Sequence, residues 1–272
     1  MKVALTGASG FVGLNLQNTF ENCVIINRHD SEDDILTKLH DIDVVINLAG
    51  APIVKKWTQK YKKVLIDSRV ESTKKLVSAI NKSNVKHFIS TSAIGAYPDD
   101  SIFDESYTEY ANDFLGQLTK EWELEANKCS KPTSILRFGV ILGKEGGALA
   151  KMLPPFRIGL GGIIGNGKMM TSWIDIADLM SIYTFLIDKQ LTGVFNAVSP
   201  TPVTNYMFTK ALGSALNRAT IFPLPEFVLK LIFGEGSTVL TGSKEIYPTA
   251  LINAGFEFKH KNIESSLNHL LG

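Results

Sequence analysis

The feature that most restricts this chain is its start, where VALT, residues 3–6, runs into GASGFVG, residues 7–13, and on into LNLQ. Four apolar or β-branched residues make a short strand buried on both faces, and glycines 7, 10 and 13 stand where that strand gives way to a helix. Each glycine meets a different steric demand. The first permits a tight turn, the second lets a ligand approach the backbone, and the third lets helix and strand pack closely. A helix opening on such a loop offers free N–H groups and the positive end of its dipole, a cradle for a diphosphate. A bare glycine triplet is a weak signal. Here the strand before, the helix after and a second strand some ten residues on agree, which makes Gly7, Gly10 and Gly13 a dinucleotide-binding turn.

The same alternation continues along the chain. Val- and Ile-rich runs at 23–27, 44–48, 87–91 and 134–138 are separated by segments of helical period. That pattern predicts an α/β fold with a doubly wound, parallel Rossmann-type sheet. Trp57, Tyr61 and Leu65, then Thr73, Val77 and Ile80, mark a long helix, and residues 113–127 mark another. After about residue 143 the texture changes to a glycine-rich run with two adjacent prolines, KEGGALAKMLPPFRIGLGGIIGNG, which favours irregular chain and a binding loop. Residues 1–143 are therefore expected to form the dinucleotide-binding domain, with about 172–200 returning to it. Residues 144–272 are expected to form mainly a smaller substrate lobe and a helical C-terminal region.

Composition removes several classes of function. With 28 Lys and Arg against 27 Asp and Glu, the net charge of +1 gives no field suited to nucleic acid. No run of about 20 apolar residues exists to span a membrane, and the N-terminus lacks a signal h-region, so a cytoplasmic protein is expected. The two cysteines, Cys23 and Cys129, show neither a disulfide framework nor zinc-ligand spacing, and no metal site is assigned from sequence.

The second strand ends IINRHD, residues 25–30. An acidic side chain at that tip would accept from a ribose 2′-OH, whereas an arginine suits a 2′-phosphate. Asn27 occupies the tip and Arg28 follows, favouring NADP(H) over NAD(H), with Asp30 close enough to compete. The third strand ends NLAG, where small residues let a dinucleotide pass.

With GASGFVG, NLAG, ISTSAIGAY at 89–97 and WIDIADL at 173–179, the chain resembles the extended short-chain dehydrogenase/reductase superfamily of NAD(P)-dependent epimerases and dehydratases. DSR at 67–69, DFL and WE within 113–123, GGALAKMLPPFRIGLGG at 146–162 and SWI at 172–174 are similar to epimerase-family proteins with a distinctive C-terminal region, here from about residue 223 to 271. The resemblance runs essentially end to end. It implies that Gly7, Ser9, Gly10, Phe11 and Val12 hold the pyrophosphate, Asn27 and Arg28 the adenosine ribose, and Leu48 and Ala49 the adenine-side linker. It also implies that Arg69 reaches toward the cofactor and that Ile141 passes beside the nicotinamide.

In that superfamily a Tyr, with a Lys four residues later, moves the proton that accompanies hydride transfer, and a Ser or Thr fixes the substrate oxygen. Ser92 stands at the hydroxyl position. Aligned by its WE end, the helix over 113–127 puts Phe114 or Leu115 at the Tyr position and Leu118 or Thr119 at the Lys position, and Lys120 falls out of register. Tyr206 and Lys210 have the right spacing in the wrong lobe. Three readings follow: Tyr97 substitutes as the acid, with Glu105 and Asp113 behind it; the acceptor is an activated C=C, quinone or C=N needing little protonation; or the protein is a non-catalytic NADP(H)-dependent sensor. The expected partner is a small molecule other than a nucleotide-sugar, met by an apolar wall of Met152, Leu153, Phe156 and Trp173, or these four simply close the second lobe's core. A homodimer is left open. This chain also has Asp175 where the resembling proteins have His after Trp-Ile, which removes a group that titrates near neutrality.

Overall fold

The computed structural model describes residues 1–272. Six parallel strands form one sheet: β1 (Val3–Thr6), β2 (Val24–Ile26), β3 (Val44–Asn47), β4 (His87–Ala93), β6 (Thr133–Phe138) and β10 (Gly193–Ala197). Their order is β10-β6-β4-β3-β1-β2. The chain thus runs outward from β1 to β2, then crosses to β3 on β1's other side, and the reversal opens a crevice at the C-terminal ends of β1 and β3, where sheets of this kind bind ligands. Two-stranded ribbons pair β5 (Ser101–Phe103) with β12 (Lys244–Ile246), β7 (Val140–Leu142) with β9 (Trp173–Asp175), and β8 (Met170–Thr171) with β11 (Val203–Thr204).

Apolar strands buried on both faces require a helical layer on each side. One layer holds α1 (Phe11–Thr19) and α7 (Ile176–Asp188), whose Leu16, Leu179, Ile182 and Leu186 join Leu5, Ile46 and Ile89 in one core. The other holds α2 (Glu32–Lys38), α4 (Ser72–Asn81) and α5 (Phe114–Ala126), with Ile35, Leu76, Ile80 and Ala126 packed on Val45 and Phe88. Helix α2 starts where sequence rules place it, in a capping box between Ser31 and Asp34. A third core closes the second lobe, where α6 (Gly147–Arg157), α8 (Asn205–Ala215) and the C-terminal α12 (Ile263–Leu271) bury Leu149, Leu153, Phe156, Phe208, Leu212 and Leu267. Between them, α9 (Glu226–Phe233), α10 (Thr238–Thr241) and α11 (Thr249–Asn253) make the short punctuated helices expected of the tail. No helix is long and apolar enough to cross a membrane.

Two expectations change and one open alternative is decided. Residues 147–157 form a helix, Pro154 and Pro155 included, because burying Leu149, Leu153 and Phe156 on one stripe outweighs two missing N–H donors. Trp173, Leu153 and Phe156 are buried in the core of that lobe and form no exposed wall, and Met152 packs against them half-buried. The long helix is also not uniform: α3 (Gln59–Ile66) begins after Trp57, and a π-helical turn at Asp67–Glu71 separates it from α4. Such turns interrupt helices mostly at functional positions. Arg69 lies at its centre.

The steric demands on the first turn are explicit. Gly7 has φ +64°, and a Cβ there would lie 2.6 Å from the Leu48 carbonyl oxygen. A Cβ on Gly13 would meet the Gly7 oxygen at 2.5 Å and Ala8 Cα at 2.7 Å, both backbone atoms. Gly13→Ala is expected to lower stability by about 1–3 kcal/mol, since α1 must move off β1 to admit the methyl group. Urea unfolding measures this, and an unchanged midpoint would refute the close packing.

Candidate active site

The residue before α1 is Gly10, which has no side chain to cap the first-turn amides, so the N–H groups of Phe11 and Val12 are left for a ligand at the crevice. Ser9 and Gly10 are exposed there, and Phe11 and Val12 are half-buried. Phe11 has a second task. A Cβ on Gly143 or Gly146 would fall 2.2 or 2.1 Å from its ring, so the ring is seated against the glycine-rich loop that follows β7. The glycines before α6 are thus explained by packing: they let the second lobe close down on the cradle.

At the tip of β2, Arg28 is exposed and Asp30 is not free to compete with it. One Asp30 carboxylate oxygen accepts from Lys38 Nζ at 2.5 Å and from the Asn27 amide at 2.7 Å. The Lys38 hydrogen bond, with the Asn27 amide's help against partial burial, holds this carboxyl below the usual range. Lys75 Nζ donates to the Asp30 carbonyl, adding a second cation beside the tip. An exposed arginine, two lysines and one neutralised carboxylate suit a phosphate better than a ribose hydroxyl.

The tips of β1 and β3 are tied together from below. Thr6 Oγ1 donates to Asn47 Oδ1 at 2.7 Å and accepts from the amides of Leu48 and Ala49 at 2.9 and 3.1 Å. Asn47 Nδ2 donates to Thr73 Oγ1 at 2.8 Å, fixing the strand end to α4. Leu48 and Ala49 are thereby held half-buried at the crevice. Beyond them, Arg69 donates to the Ala51 carbonyl at 3.0 Å, lies over the Trp122 ring at 5.4 Å, and sits 3.1 Å from where a Gly50 Cβ would be. It is half-buried with no carboxylate partner. Burial pulls its guanidinium down to about 10, an expense that an anion in the crevice would offset. Ile141, half-buried in β7, pairs in register with Ile174.

The position of the missing donor is decided by Gly95. A Cβ there would lie 3.4 Å from Leu115 Cβ and 3.6 Å from Thr119 Oγ1, so the α5 face turned to the end of β4 carries Leu115 and Thr119. Phe114 instead meets Trp57 edge-on at 5.2 Å, and Lys120 is exposed. The Thr119 hydroxyl donates to the Leu115 carbonyl at 2.6 Å. No titratable group occupies either position.

Tyr97 does not replace the donor. It is fully buried, its hydroxyl donates to Asn196 Oδ1 at 2.9 Å, and its ring stacks on Phe103 at 5.7 Å. Burial raises its phenol above the ordinary range despite the opposing Arg137 charge. The Pro98 that follows and the aromatic packing hold it in the core, where it braces β10. Glu105 accepts from the amides of Asn196 and Ala250 at 2.7 and 3.0 Å, and Asp113 caps α5, so neither relays a proton to Tyr97. Lys210 lies 5.5 Å over the Tyr206 ring but donates to Thr220, both away from the crevice on α8 and the loop after it.

Ser92 is at the end of β4 as expected, yet it is buried and donates to Glu123 Oε1 at 2.5 Å. Glu123 belongs to a cluster that sequence reading missed. Its two oxygens are gripped by Arg137 Nε and a terminal Arg137 nitrogen, each at 2.8 Å, and Tyr110 Oη donates to Oε2 at 2.6 Å. Both charged side chains are at most 4% exposed. Burial opposes the Arg137 charge, but Glu123 outweighs it and its guanidinium is held above its ordinary value. Burial and then the Glu123 charge push Tyr110 up to about 12, so it stays protonated. The signal was present: Leu115, Thr119 and Glu123 share one helical face by four-residue steps, and Arg137 sits mid-strand in SILRF. A glutamate on a buried face needs a cation.

Comparison with known proteins places these features in context. Residues 3–197 match the NAD dependent epimerase/dehydratase family, and residues 224–270 match a domain of unknown function, DUF1731. The chain is 34% identical to an Arabidopsis thaliana chloroplastic epimerase family protein SDR39U1 homolog, covering 100% of this chain and 87% of that one. It is also 34% identical to an epimerase family protein of Staphylococcus aureus, covering 98% of both. The crystal structure of human epimerase family protein SDR39U1 (isoform 2) with NADPH superposes with a TM-score of 0.92 at 29% identity, over 100% of this chain and 99% of that one.

Removing Arg137 strands a buried carboxylate, which costs about 3–5 kcal/mol, whereas replacing both partners with apolar groups of similar volume costs much less. Arg137→Met is therefore expected to be the more damaging change and Glu123→Leu with Arg137→Met the milder one, by chemical denaturation. Equal losses would show that the pair does not act as a unit.

Proposed function

The chain belongs to the NAD dependent epimerase/dehydratase family, and from that membership and the strand-tip geometry we propose that it binds NADP(H) and exchanges hydride with a small acceptor. The observation that carries the cofactor choice is the pairing at β2: Arg28 stands exposed while Lys38 and the Asn27 amide occupy Asp30. The human relative's structure with NADPH supports it. The amides of the Gly7 to Gly13 turn hold the diphosphate, Arg28 takes the 2′-phosphate with Asn27 beside it, and Leu48 and Ala49 line the passage between. Arg69, poorly solvated and without a carboxylate, faces the anionic middle of the dinucleotide.

When bound, the nicotinamide supplies or accepts the hydride. What the chain adds is position and exclusion of water, because Leu115 and Thr119 replace the ionisable pair and Ser92 is turned to Glu123. This arrangement favours an acceptor that takes hydride without a strong acid at its oxygen: a quinone, an activated C=C or a C=N. Any proton the product needs comes from solvent. A nucleotide-sugar, whose carbonyl chemistry relies on a Tyr-type donor, fits less well. A second reading is favoured by the same commitment of Ser92 and Tyr97 to buried partners: the protein reports NADP(H) occupancy to another molecule without turnover.

Calorimetric titration is expected to give tighter binding of NADPH than of NADH, with Arg28→Ala erasing about tenfold or more of the preference, as loss of one charge-assisted contact implies. Equal affinities would remove the NADP(H) assignment. Turnover separates the two readings. NADPH oxidation with quinones, enones or iminium ions, at rates unchanged by Tyr97→Phe, supports hydride transfer without that residue; no oxidation with any of them, despite tight NADPH binding, supports the sensor.

A further inference from the structure

Asp175 ends β9, pairs in register with Leu142 and caps α7, donating nothing and accepting the Ala177 amide on Oδ1 at 2.8 Å. The C-terminal segment brings two imidazoles to it. One ligand atom each from Asp175, His260 and His269 lies within 4.8 Å of the other two. The imidazoles are stacked, with centroids 4.4 Å apart and planes 20° apart. Asp175 is fully buried, His260 is half-buried and His269 is exposed, so the cluster has a solid floor and an open mouth.

Capping accounts for Asp175 but not for two imidazoles converging on it. Each donor is held by its own interactions. Ser266 Oγ donates to Asp175 Oδ2 at 2.6 Å, leaving each carboxylate oxygen a free lone pair. The backbone of His260 is fixed by Asp178, whose Oδ2 accepts the His260 amide at 2.9 Å and whose Oδ1 accepts the Lys259 amide at 2.8 Å. Ser265 Oγ lies 3.4 Å from His260 Nδ1, which leaves Nε2 without a protein partner. His269 rides on α12, anchored in the core by Ile263, Leu267 and Leu270. Hydrogen bonds behind Asp175 and His260, and core packing behind His269, are support of the kind that orients metal ligands.

We propose that Asp175, His260 and His269 bind a divalent transition-metal ion of the zinc class, clasping α12 and the loop before it to the β9–α7 junction. Two imidazole nitrogens and a carboxylate oxygen are a donor set zinc accepts, with water in the fourth position on the exposed side. Donors bound to one zinc ion sit about 3.3 Å apart, given metal–ligand lengths of about 2.0–2.2 Å, so a modest rotation of exposed His269 closes the site. The ligands come from three segments spread over residues 175–269, which is why no spacing motif announced them.

The test uses the full chain stripped by chelator and titrated with zinc chloride. One equivalent should bind, and His269→Ala and His260→Ala should each weaken binding by about tenfold or more. Zinc should raise the melting temperature of the unaltered protein and leave that of His269→Ala unchanged. His269 is exposed, so its removal leaves the fold intact, whereas Asp175 caps α7 and is the poorer choice. His40→Ala, an exposed imidazole elsewhere, and Cys23→Ser with Cys129→Ser should change neither readout. Absence of saturable zinc binding, or one-equivalent binding that survives both His260→Ala and His269→Ala, overturns the site.

Discussion

The buried ion pair between Glu123 and Arg137 is the constraint on which the centre of the molecule is arranged. An unpaired charge at that depth is intolerable, so α5 and β6 must be in register for the fork of the guanidinium to meet both carboxylate oxygens. Once they are, the remaining lone pairs of Glu123 take the hydroxyls of Ser92 and Tyr110, and the flat face of Arg137 lies 4.9 Å over the Tyr97 ring. Helix α5, strands β4 and β6 and the loop before α5 are locked by one carboxylate. The polar residues that end β4 are thereby drawn into the support of the site.

That support changes the chemistry available. The α5 face turned to the end of β4 carries Leu115 and Thr119 and continues into Glu123, clamped by Arg137, so no acid stands there. The groups that stand at the crevice form the apparatus of the proposed cofactor site: α1 amides, the exposed Arg28, the closely packed tips of β1 and β3, and Arg69 displayed by a π-helical turn. Arg69 is the one strongly desolvated cation there without a carboxylate, a natural complement to a polyanionic ligand. Phe11 joins this apparatus to the second lobe, since its ring occupies the space that side chains at positions 143 and 146 would fill.

Much of this was legible before any coordinates. The first turn, the strand tips and Asp113 at the start of α5 follow from periodicity and from what glycine alone tolerates, and the exclusion of Lys120 from the resemblance. The rest turns on packing and partners that local pattern does not carry. Tyr97 follows β4 by one short turn, but which way its hydroxyl points depends on β10, which arrives about a hundred residues later with Asn196. The helix at 147–157 was hidden by two prolines, whose local penalty is overruled by the burial of Leu149, Leu153 and Phe156. The π-helical turn leaves no trace in apolar spacing.

The sequence by itself determined the strand–turn–helix of the glycine turn, the parallel alternation behind it, and which α5 residues lie four apart on one face, because these are properties of neighbours within one or two helical turns. Only the tertiary structure decided that Ser92 and Tyr97 are occupied elsewhere, that Asp30 yields the β2 tip to Arg28, and that two histidines meet Asp175. Each of those depends on which partner a polar group finds across the fold, and a buried hydrogen bond or ion pair is chosen by geometry between distant segments rather than by local pattern.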